Sequence, residues 1–235
     1  KVAIQGEIGS NSDMACRQVF ADKQSLPCQS FEDAFTAVRD GVANYALLPI
    51  DNTVAGRVAD IHHLLPDSGL KIICEYFHPV HHHLLAVPGT KIEQLTHIHS
   101  HIHALNQCRK LIRELGVKPM VHADTAGAAA QIAHIGDVTQ GAIASQLACE
   151  IYQLDSLRAN VEDATHNTTR FLVMSRHALT IGADDGAMMT SFVFRVRNVP
   201  AALYKSLGGF ATNGVNMTKL ESYLVEGGFV AAQFY

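Results

Sequence analysis

The stretch THIHSHIHALNQC, residues 96–108, contains two different periodicities, and the change between them predicts the fold. Histidines occupy every second position from His97 to His103, as on one face of a β-strand, where four imidazoles could bind a metal ion. From Ile102 onward, apolar residues recur every three or four positions, which is typical of a helix. The change falls near Ser100, a residue type that caps helix N-termini. Because the histidines then cannot share one face, we favour an anion-binding strand-to-helix turn over a metal site.

The same alternation of strand and helix patterns occurs along most of the chain. Apolar runs such as VAIQ (2–5) and YALLPI (45–50) alternate with helical patterns such as the one that Ser30 begins. This alternation predicts an α/β layer architecture with mostly parallel sheets. A polar stretch without periodicity, residues 175–188, predicts a linker. The β-α-β-β pattern that follows spans under 50 residues, too few to bury a sufficient core alone.

Composition and charge exclude several classes of protein. The net charge is −4 and no run of lysine or arginine is present, so we expect no nucleic-acid partner. No apolar run reaches the roughly 18 residues of a membrane helix. The five cysteines form no C-x-x-C pair, which is typical of a reducing compartment. The opening KVAIQGE reads as a strand and not as a signal peptide, so we expect a cytoplasmic protein without a membrane partner.

Five strand-to-helix junctions carry small residues next to a serine, threonine, aspartate or asparagine. They are QGEIGSNS (5–12), PIDNTVAG (49–56), HSHIHAL (99–105), ADTAGAA (123–129) and IASQ (143–146). In open α/β sheets such junctions lie at the carboxyl ends of strands, where ligands bind. One of them alone would be an ordinary helix cap, but together they predict an anion-binding cleft.

The segment NTTRF, residues 167–171, differs from these junctions because it opens a predicted strand with two hydroxyl groups and an arginine. Arg170 could bind a substrate carboxylate through two parallel hydrogen bonds. An ordinary surface salt bridge is the alternative interpretation of the same residue.

Together these segments resemble the prephenate dehydratase family, which converts prephenate into phenylpyruvate, water and carbon dioxide on the way to phenylalanine. LLPIDNTVAG, SHIHALNQC and NTTRFLVM are similar to family motifs, with Asp51 where the family usually has glutamate. The resemblance implies Thr169 and Arg170 as catalytic residues. The substrate-binding residues that it and the junctions indicate are Gly6, Ser12, Asn52, Thr53, Gly56, Ser100, Thr125, Ala126, Ser145, Thr168 and Phe171.

The family fold implied is a catalytic domain of two α/β lobes, similar to type II periplasmic binding proteins. We expect this domain over residues 1–177. Its first lobe would span about 1–76 and 155–177, and its second about 77–154. A linker would follow over 178–187. Since forming the aromatic ring makes the reaction strongly downhill, we expect no metal and no organic cofactor.

The tail, residues 188–235, resembles an ACT regulatory domain of ferredoxin-like α+β fold, incomplete in this chain. VPAALYKSL (199–207) is similar to the effector segment of that family, with Ala201 in place of glycine, and NMTKLESYL (216–224) to a second segment. The resemblance implies feedback inhibition by L-phenylalanine in a homodimer or homotetramer. The effector-binding residues it indicates are Ala201, Ala202, Leu203, Asn216, Leu220, Glu221 and Ser222. The alternatives are a non-catalytic two-lobed anion-binding protein and an amino-acid sensor.

Overall fold

The computed structural model describes residues 1–180, 182, 186, 188–224 and 231–235. These residues form two compact units, Lys1–Leu179 and Thr180–Tyr235. Over the described part of the chain, no helix is both long and apolar enough to cross a membrane.

The first unit contains two separate β-sheets. The strands of the first sheet are β1 (Val2–Gln5), β2 (Ser25–Cys28), β3 (Tyr45–Asn52), β4 (Gly56–Arg57), β5 (Lys71–Pro79) and β11 (Thr168–Ser175). They lie in the order β2–β1–β3–β11–β5, with β4 paired to β3. The strands of the second sheet are β6 (His83–Ala86), β7 (His97–Ser100), β8 (Lys118–Val121), β9 (Gln140–Ala144) and β10 (Asp155–Arg158). Their order is β10–β6–β9–β7–β8.

Seven helices connect these strands. They are α1 (Asn11–Val19), α2 (Phe31–Arg39), α3 (Ala59–Leu64), α4 (Ile102–Gln107), α5 (Arg109–Leu115), α6 (Thr125–Ile135) and α7 (Gln146–Ile151). Side-chain caps fix several of their starts. Ser30 caps α2 as expected, with Asp33 completing a capping box, and Gly136 ends α6 in the left-handed conformation that favours glycine.

The prediction of mostly parallel sheets is wrong, because both sheets are mixed. β11 runs antiparallel to β3 and β5, and β6 runs antiparallel to β9 and β10. These are the strands at which the chain passes between the sheets, and it does so without a crossover helix. β5 leaves the first sheet at the end where β11 re-enters it, since Pro79 pairs with Thr168, so these two neighbours run antiparallel.

The lobe boundary expected at residue 155 also differs from the structure. β10 pairs with β6 in the second sheet, so the return to the first sheet runs over residues 159–167. The sequence patterns do not indicate β10, β2 or β4, all of which have four residues or fewer. None of their residues is buried, so these three strands lack the apolar run by which VAIQ, also four residues long, is recognised.

The helix expected from Ser100 to Leu115 begins later and is interrupted. Ser100 is the last residue of β7 and is fully buried. His101 is the cap of α4, where its side chain accepts a hydrogen bond from the His103 N–H at 3.3 Å. Cys108, with φ −122° and ψ 32°, separates α4 from α5. The helical pattern therefore begins near Ser100 as expected, and the observed cap of α4, His101, lies one residue further along the chain.

Apolar side chains fill the space between each sheet and its helices. In the first sheet, Val2, Ile4 and Phe171 pack with Ala15 and Cys16 of α1. Two further clusters lie on the second sheet, one including Leu84, Ile98 and Leu111 and the other Leu85, Ile132 and Ala148. Because these cores fix the strands, the strand ends are held in place as a platform for a site.

The second unit has the expected β-α-β-β order. It contains β12 (Phe194–Arg195), α8 (Ala202–Thr212), β13 (Ser222–Leu224) and β14 (Ala231–Phe234), with sheet order β12–β14–β13. The strands predicted over 190–196 and 215–224 are therefore only two and three residues long. Residues 225–228 of the predicted turn lie outside the described residues, as do 229–230 of the last predicted strand and 181, 183–185 and 187 of the predicted linker.

Candidate active site

The site is built at one edge of the first sheet, where three strand ends meet. β1 and β3 are parallel and end at this edge. β11 runs the opposite way, so it begins there, and Thr169 pairs directly with Asn52. Residues opposite one another on neighbouring strands project to the same face. The topology thus places an amide and a hydroxyl group, 117 residues apart in sequence, within 2.9 Å of each other.

The amide of Asn52 can adopt only one orientation. Its Oδ1 accepts hydrogen bonds from the backbone N–H groups of Val54 at 2.9 Å and Ala55 at 2.7 Å. Its Nδ2 must therefore donate, to Asn167 Oδ1 at 2.8 Å and to Thr169 Oγ1 at 2.9 Å. Because the Thr169 oxygen accepts this bond, its own hydrogen is left to donate elsewhere.

The same polarity continues away from Thr169. Asn167 Nδ2 donates to Gln107 Oε1 at 2.9 Å, and His82 Nε2 lies 2.9 Å from the same oxygen. Gln107 is the last residue of α4, beside the second sheet, so the hydrogen bonds link the two sheets. We call the five residues Thr169, Asn52, Asn167, Gln107 and His82 the amide network.

The edges of the two sheets also touch at a second place. Ser145 Oγ donates to the carbonyl oxygen of Gly9 at 2.5 Å, and the Tyr152 hydroxyl donates to the carbonyl oxygen of Ile8 at 3.0 Å. Gly9 has φ +88°, and a Cβ there would lie 3.2 Å from the backbone of Ala148. Glycine is thus required where the first loop packs against α7.

A cavity of about 180 Å³ opens beside the amide network. It is lined by Val54, Asn106, Gln107, Arg109, Glu162, Asp163, Ala164 and Asn167. Its two carboxylates already have partners: Asp163 accepts from the backbone N–H groups of Arg109 and Lys110 at the start of α5. Glu162 accepts from the backbone N–H of His82. Both acids therefore hold the cavity wall in place.

His78 lies directly across from Thr169 on β5. It is 2% exposed, and its ring meets Phe171 edge-on at 6.2 Å between centroids. Burial, with a smaller effect of His81, lowers the pKa of His78 to about 4. The imidazole is thus uncharged at neutral pH.

Arg170 does not face Thr169. Its Nε donates to Glu75 Oε2 at 2.7 Å, its Nη1 lies 3.5 Å from Asp51 Oδ2, and its side chain is 14% exposed. Adjacent residues of a strand project to opposite faces, so Thr169 and Arg170 lie on different sides of β11. We expected Arg170 to bind a substrate carboxylate. In the structure its guanidinium is instead paired with two carboxylates of the protein, those of Glu75 and Asp51.

Several other predicted site residues serve the interior or a helix start. Phe171 and Ala126 belong to the cores, and Ser100 Oγ donates to the carbonyl of Ile143. Thr125 begins α6, but the carboxylate of Asp124 already caps that helix through Gly127 N–H at 2.6 Å. A second anion would be repelled there.

The remaining predicted residues of the first sheet lie along the same edge. Thr53 N–H donates to the carbonyl of Thr168, and Thr168 N–H donates back to Thr53 Oγ1, both at 2.9 Å. Gly56, the first residue of β4, has φ +82°, and Gly6 has φ +103° just after β1. Ser12 is buried in α1, which Ser10 and not Ser12 caps.

The histidines are distributed as the periodicity change predicts. His97 and His99 lie on β7, His101 caps α4, and His103 lies within α4. Among the residues the structure describes, no group of three or more histidine, cysteine, aspartate or glutamate residues could hold a metal ion.

The predicted effector residues lie in the second unit. Ala201 has φ +61° and precedes α8, so it adopts the left-handed conformation that glycine favours; glycine is the residue of the effector motif at this place. Ala202 and Leu203 begin α8. Glu221 forms two backbone hydrogen bonds with Tyr235, at 2.8 and 2.9 Å. Asn216, Leu220 and Ser222 lie on the segment leading into β13 or at its start.

Sequence patterns alone did not identify three members of the amide network. Asn167 and Gln107 stand inside the motifs NTTRF (167–171) and SHIHALNQC (100–108), and His82 stands in the triplet HHH (81–83). Each is a polar residue next to an apolar run, which no local rule distinguishes from an ordinary polar residue, so the sequence carried no usable signal for them.

Comparison with known proteins gives one consistent result. A family model described as prephenate dehydratase matches residues 2–179. A bifunctional N-acyl-homoserine lactone acylase/prephenate dehydratase from Komagataeibacter europaeus is 51% identical over 233 residues, which cover 99% of this chain and 83% of that protein. Arogenate dehydratase/prephenate dehydratase 1, chloroplastic, from Arabidopsis thaliana is 38% identical over 222 residues, covering 94% of this chain. The chain spans 56% of that plant relative.

Two solved structures resemble the fold over nearly the whole chain. One, named GqqA and described as a novel type of quorum quenching acylases, has a TM-score of 0.90 at 50% identity, covering 99% of this chain and 85% of that one. The other is the prephenate dehydratase of Arthrobacter aurescens in complex with L-Phe. Its TM-score is 0.85 at 28% identity, covering 99% of this chain and 78% of that one.

Proposed function

This chain belongs to the prephenate dehydratase family, and from that premise we propose that it converts prephenate into phenylpyruvate, water and carbon dioxide. The observation that carries the proposal is the direction of one hydrogen bond. Asn52 Nδ2 donates to Thr169 Oγ1, so the Thr169 hydroxyl hydrogen is available to the ring hydroxyl that must leave the substrate.

The reaction needs a donor and little else. The bond between the ring and its carboxylate breaks, the electron pair moves into the ring, and the C–O bond opposite breaks as hydroxide leaves and takes up a proton. Thr169 is too weak an acid to ionise at neutral pH, so we assign it a hydrogen bond to the departing oxygen. Positioned donors of this kind accelerate reactions by about 10²–10³-fold.

The substrate would lie against the amide network, between the Thr169 hydroxyl and the cavity that Gln107 and Asn167 line. Because Gln107 Oε1 is held by Asn167 and His82, its NH₂ group is turned away from them and can donate to a substrate oxygen. For the other predicted residues of the first sheet we also propose a role in substrate binding. They are Gly6, Ser12, Asn52, Thr53, Gly56 and Thr168. For Arg170 we propose a supporting role, in which its bonds to Glu75 and Asp51 fix the strand that carries Thr169.

The direct test is the ultraviolet absorbance of phenylpyruvate formed from prephenate, with arogenate as a parallel substrate. Thr169→Ala should lower kcat by roughly 10²-fold or more with little change in KM, as for a contact made mainly in the transition state. Thr169→Ser keeps the hydroxyl and is the matched control. Nearly wild-type kcat in Thr169→Ala would refute the role of Thr169, and absence of turnover by the wild type would refute the function.

A second candidate function comes from the relatives named as acylases, at 51% and 50% identity. Hydrolysis of an N-acyl-homoserine lactone needs a nucleophile and a base that takes its proton. Thr169 is held by an amide N–H, which cannot accept a proton, so the amide network suits a donor better than a nucleophile. Release of homoserine lactone, measured by chromatography with the same Thr169 variants, decides whether this chain has the activity.

We further propose that the tail is an ACT domain that binds L-phenylalanine in a homodimer or homotetramer and inhibits the enzyme. The related dehydratase of Arthrobacter aurescens is named in complex with L-Phe, and the described residues of the second unit form one helix and three strands. The division into 1–177, 178–187 and 188–235 stays part of this proposal. Binding must favour one arrangement of the enzyme over another, or it cannot change the rate.

Calorimetric titration of the full chain with L-phenylalanine tests this proposal. Leu203→Ala should weaken binding, because Leu203 would contact the ring. Tyr204→Ala is the matched control, since Tyr204 is the next residue and is 78% exposed. Absence of binding heat in the wild type, or equal loss in both variants, would refute the assigned site.

A further inference from the structure

His82 occupies the passage between the two sheets, after β5 and before β6. Its backbone is held from both sides: its N–H donates to Glu162 Oε2 at 2.9 Å, and its carbonyl accepts from the N–H of Val161 at 2.9 Å. Glu162 and Val161 belong to the segment that returns to the first sheet. The residue is 3% exposed, so its ring is fixed in the interior beside Gln107.

The protonated nitrogen of His82 follows from its partner. Gln107 Oε1 can only accept, and His82 Nε2 lies 2.9 Å from it, so Nε2 must carry the hydrogen. His82 Nδ1 is buried without a hydrogen-bond partner among the described residues. Burial is the main cause that lowers the pKa of His82, which keeps the ring neutral and leaves Nδ1 as a bare lone pair.

Two donors on one oxygen determine where the other end of the Gln107 amide points. Asn167 alone would leave the side chain free to turn about that single hydrogen bond. With His82 as a second donor, Oε1 is bound from two directions and the planar amide is fixed. Its NH₂ group is then turned away from both donors, and Gln107 itself lines the cavity together with Asn167.

We propose that His82 is a positioning residue that fixes the orientation of the Gln107 amide, so that Gln107 presents its NH₂ group to a substrate oxygen in the cavity. The inference rests on the proposed dehydration of prephenate. His82 itself touches no substrate and acts through Gln107 alone. Its removal should therefore reduce turnover only while Gln107 is present.

Two substitutions separate the donor from the rest of the ring. His82→Leu removes the donor and keeps an apolar side chain in the interior. His82→Gln places an amide nitrogen near the position of Nε2. We expect His82→Leu to lower kcat/KM by roughly 10- to 100-fold, the cost of a misplaced group at a site, and His82→Gln to restore most of it. Equal loss in both variants would overturn the proposal.

A double-mutant cycle with Gln107→Ala distinguishes positioning from general support of the fold. Residues that act as one unit are not additive, so His82→Leu should change kcat/KM little in the Gln107→Ala background. A full further loss in that background would show that His82 acts independently. The matched control is His99→Leu, which breaks a similar pair, His99 Nε2 to Gln140 Oε1 at 2.8 Å, outside the amide network and should leave turnover unchanged.

Nitrogen-15 NMR of the wild type tests the inference without any variant and without turnover. We expect the His82 ring protonated at Nε2 and not at Nδ1 at neutral pH. The opposite tautomer would overturn the proposal even if every variant unfolds. A wild type that shows this tautomer but forms no phenylpyruvate would instead refute the dehydratase function, and with it the effect of His82 on catalysis. The hydrogen bond between His82 and Gln107 would still stand.

Discussion

Asn52→Asp is the sharpest test of the amide network, because it keeps the shape of the side chain while it reverses the direction of hydrogen bonds and adds one negative charge. Aspartate has the same shape, and one of its oxygens can still accept from the backbone N–H groups of Val54 and Ala55. The other oxygen replaces a nitrogen that donates to Asn167 at 2.8 Å and to Thr169 at 2.9 Å. The Thr169 hydroxyl would then donate to the new carboxylate, and its hydrogen would no longer be available to the substrate.

The size of the effect follows from what is lost. The bond to Asn167 Oδ1 is lost, and a buried acceptor left without its donor costs about 1–3 kcal/mol of the free energy of unfolding, which leaves an ordinary domain folded. Loss of the donor to the leaving oxygen should lower kcat by about 10²–10³-fold. Initial rates of phenylpyruvate formation and urea denaturation measure the two quantities on the same samples.

The pH dependence gives a second, independent signature. A protonated aspartic acid carries one O–H, so it can again donate to one of its two former partners. The activity of Asn52→Asp relative to wild type should therefore rise as the pH falls toward about 4, the ordinary pKa of aspartate. Substitution by alanine at the same position should show no such recovery.

Asn44→Asp is the matched control for charge. Asn44 precedes β3, whereas Asn52 ends it. The Asn44 side chain lies at the surface, where its Oδ1 accepts a hydrogen bond from the N-terminal amine at 3.2 Å. It should leave kcat unchanged. If folded Asn52→Asp keeps a kcat within roughly threefold of wild type, a difference of under about 0.7 kcal/mol in the barrier, the argument from hydrogen-bond direction is wrong.

Three further outcomes are expected. Arg170→Lys should lower the free energy of unfolding by about 1–3 kcal/mol. The reason is that the Arg170 side chain is only 14% exposed and lysine cannot replace its 2.7 Å hydrogen bond to Glu75. Unchanged urea denaturation with a tenfold higher KM would instead support a substrate-binding role. Asp13 is buried, which alone would raise its pKa, but hydrogen bonds including one from Gly9 N–H hold that pKa below its usual value. The stability that the Asp13 carboxylate contributes is therefore present above pH about 4 and lost as the pH falls through the folded pKa. The melting temperatures of Asp13→Asn and of the wild type should accordingly become equal in acid. Dialysis against a chelator should leave turnover unchanged, and loss of activity that zinc restores would contradict this.

Local signals in the sequence were sufficient for most helices and for the longer strands of the first unit. Ser30 before α2 and Gly136 after α6 are residues whose chemistry specifies a helix end by itself. The hydrogen bond between Gln107 and Asn167 is different, because it joins residues 60 positions apart. It exists only because the chain passes twice between the sheets. No pattern within a window of sequence contains that information, so the amide network could be identified only from the fold.

The expectation for Arg170 left out a rule that is local to the strand. Neighbouring residues of a strand project to opposite faces of the sheet, so they do not reach one shared ligand. The same rule applies to Thr169 and Arg170 in NTTRF, and the structure obeys it: Thr169 pairs with Asn52, whereas Arg170 pairs with Asp51 on the other face. A strand that begins at Thr168 therefore presents either the Thr169 hydroxyl or the Arg170 guanidinium to one cleft, but not both. Because Thr169 belongs to the amide network, we expect Arg170 to act on the opposite face of the sheet, through the strand that both residues share.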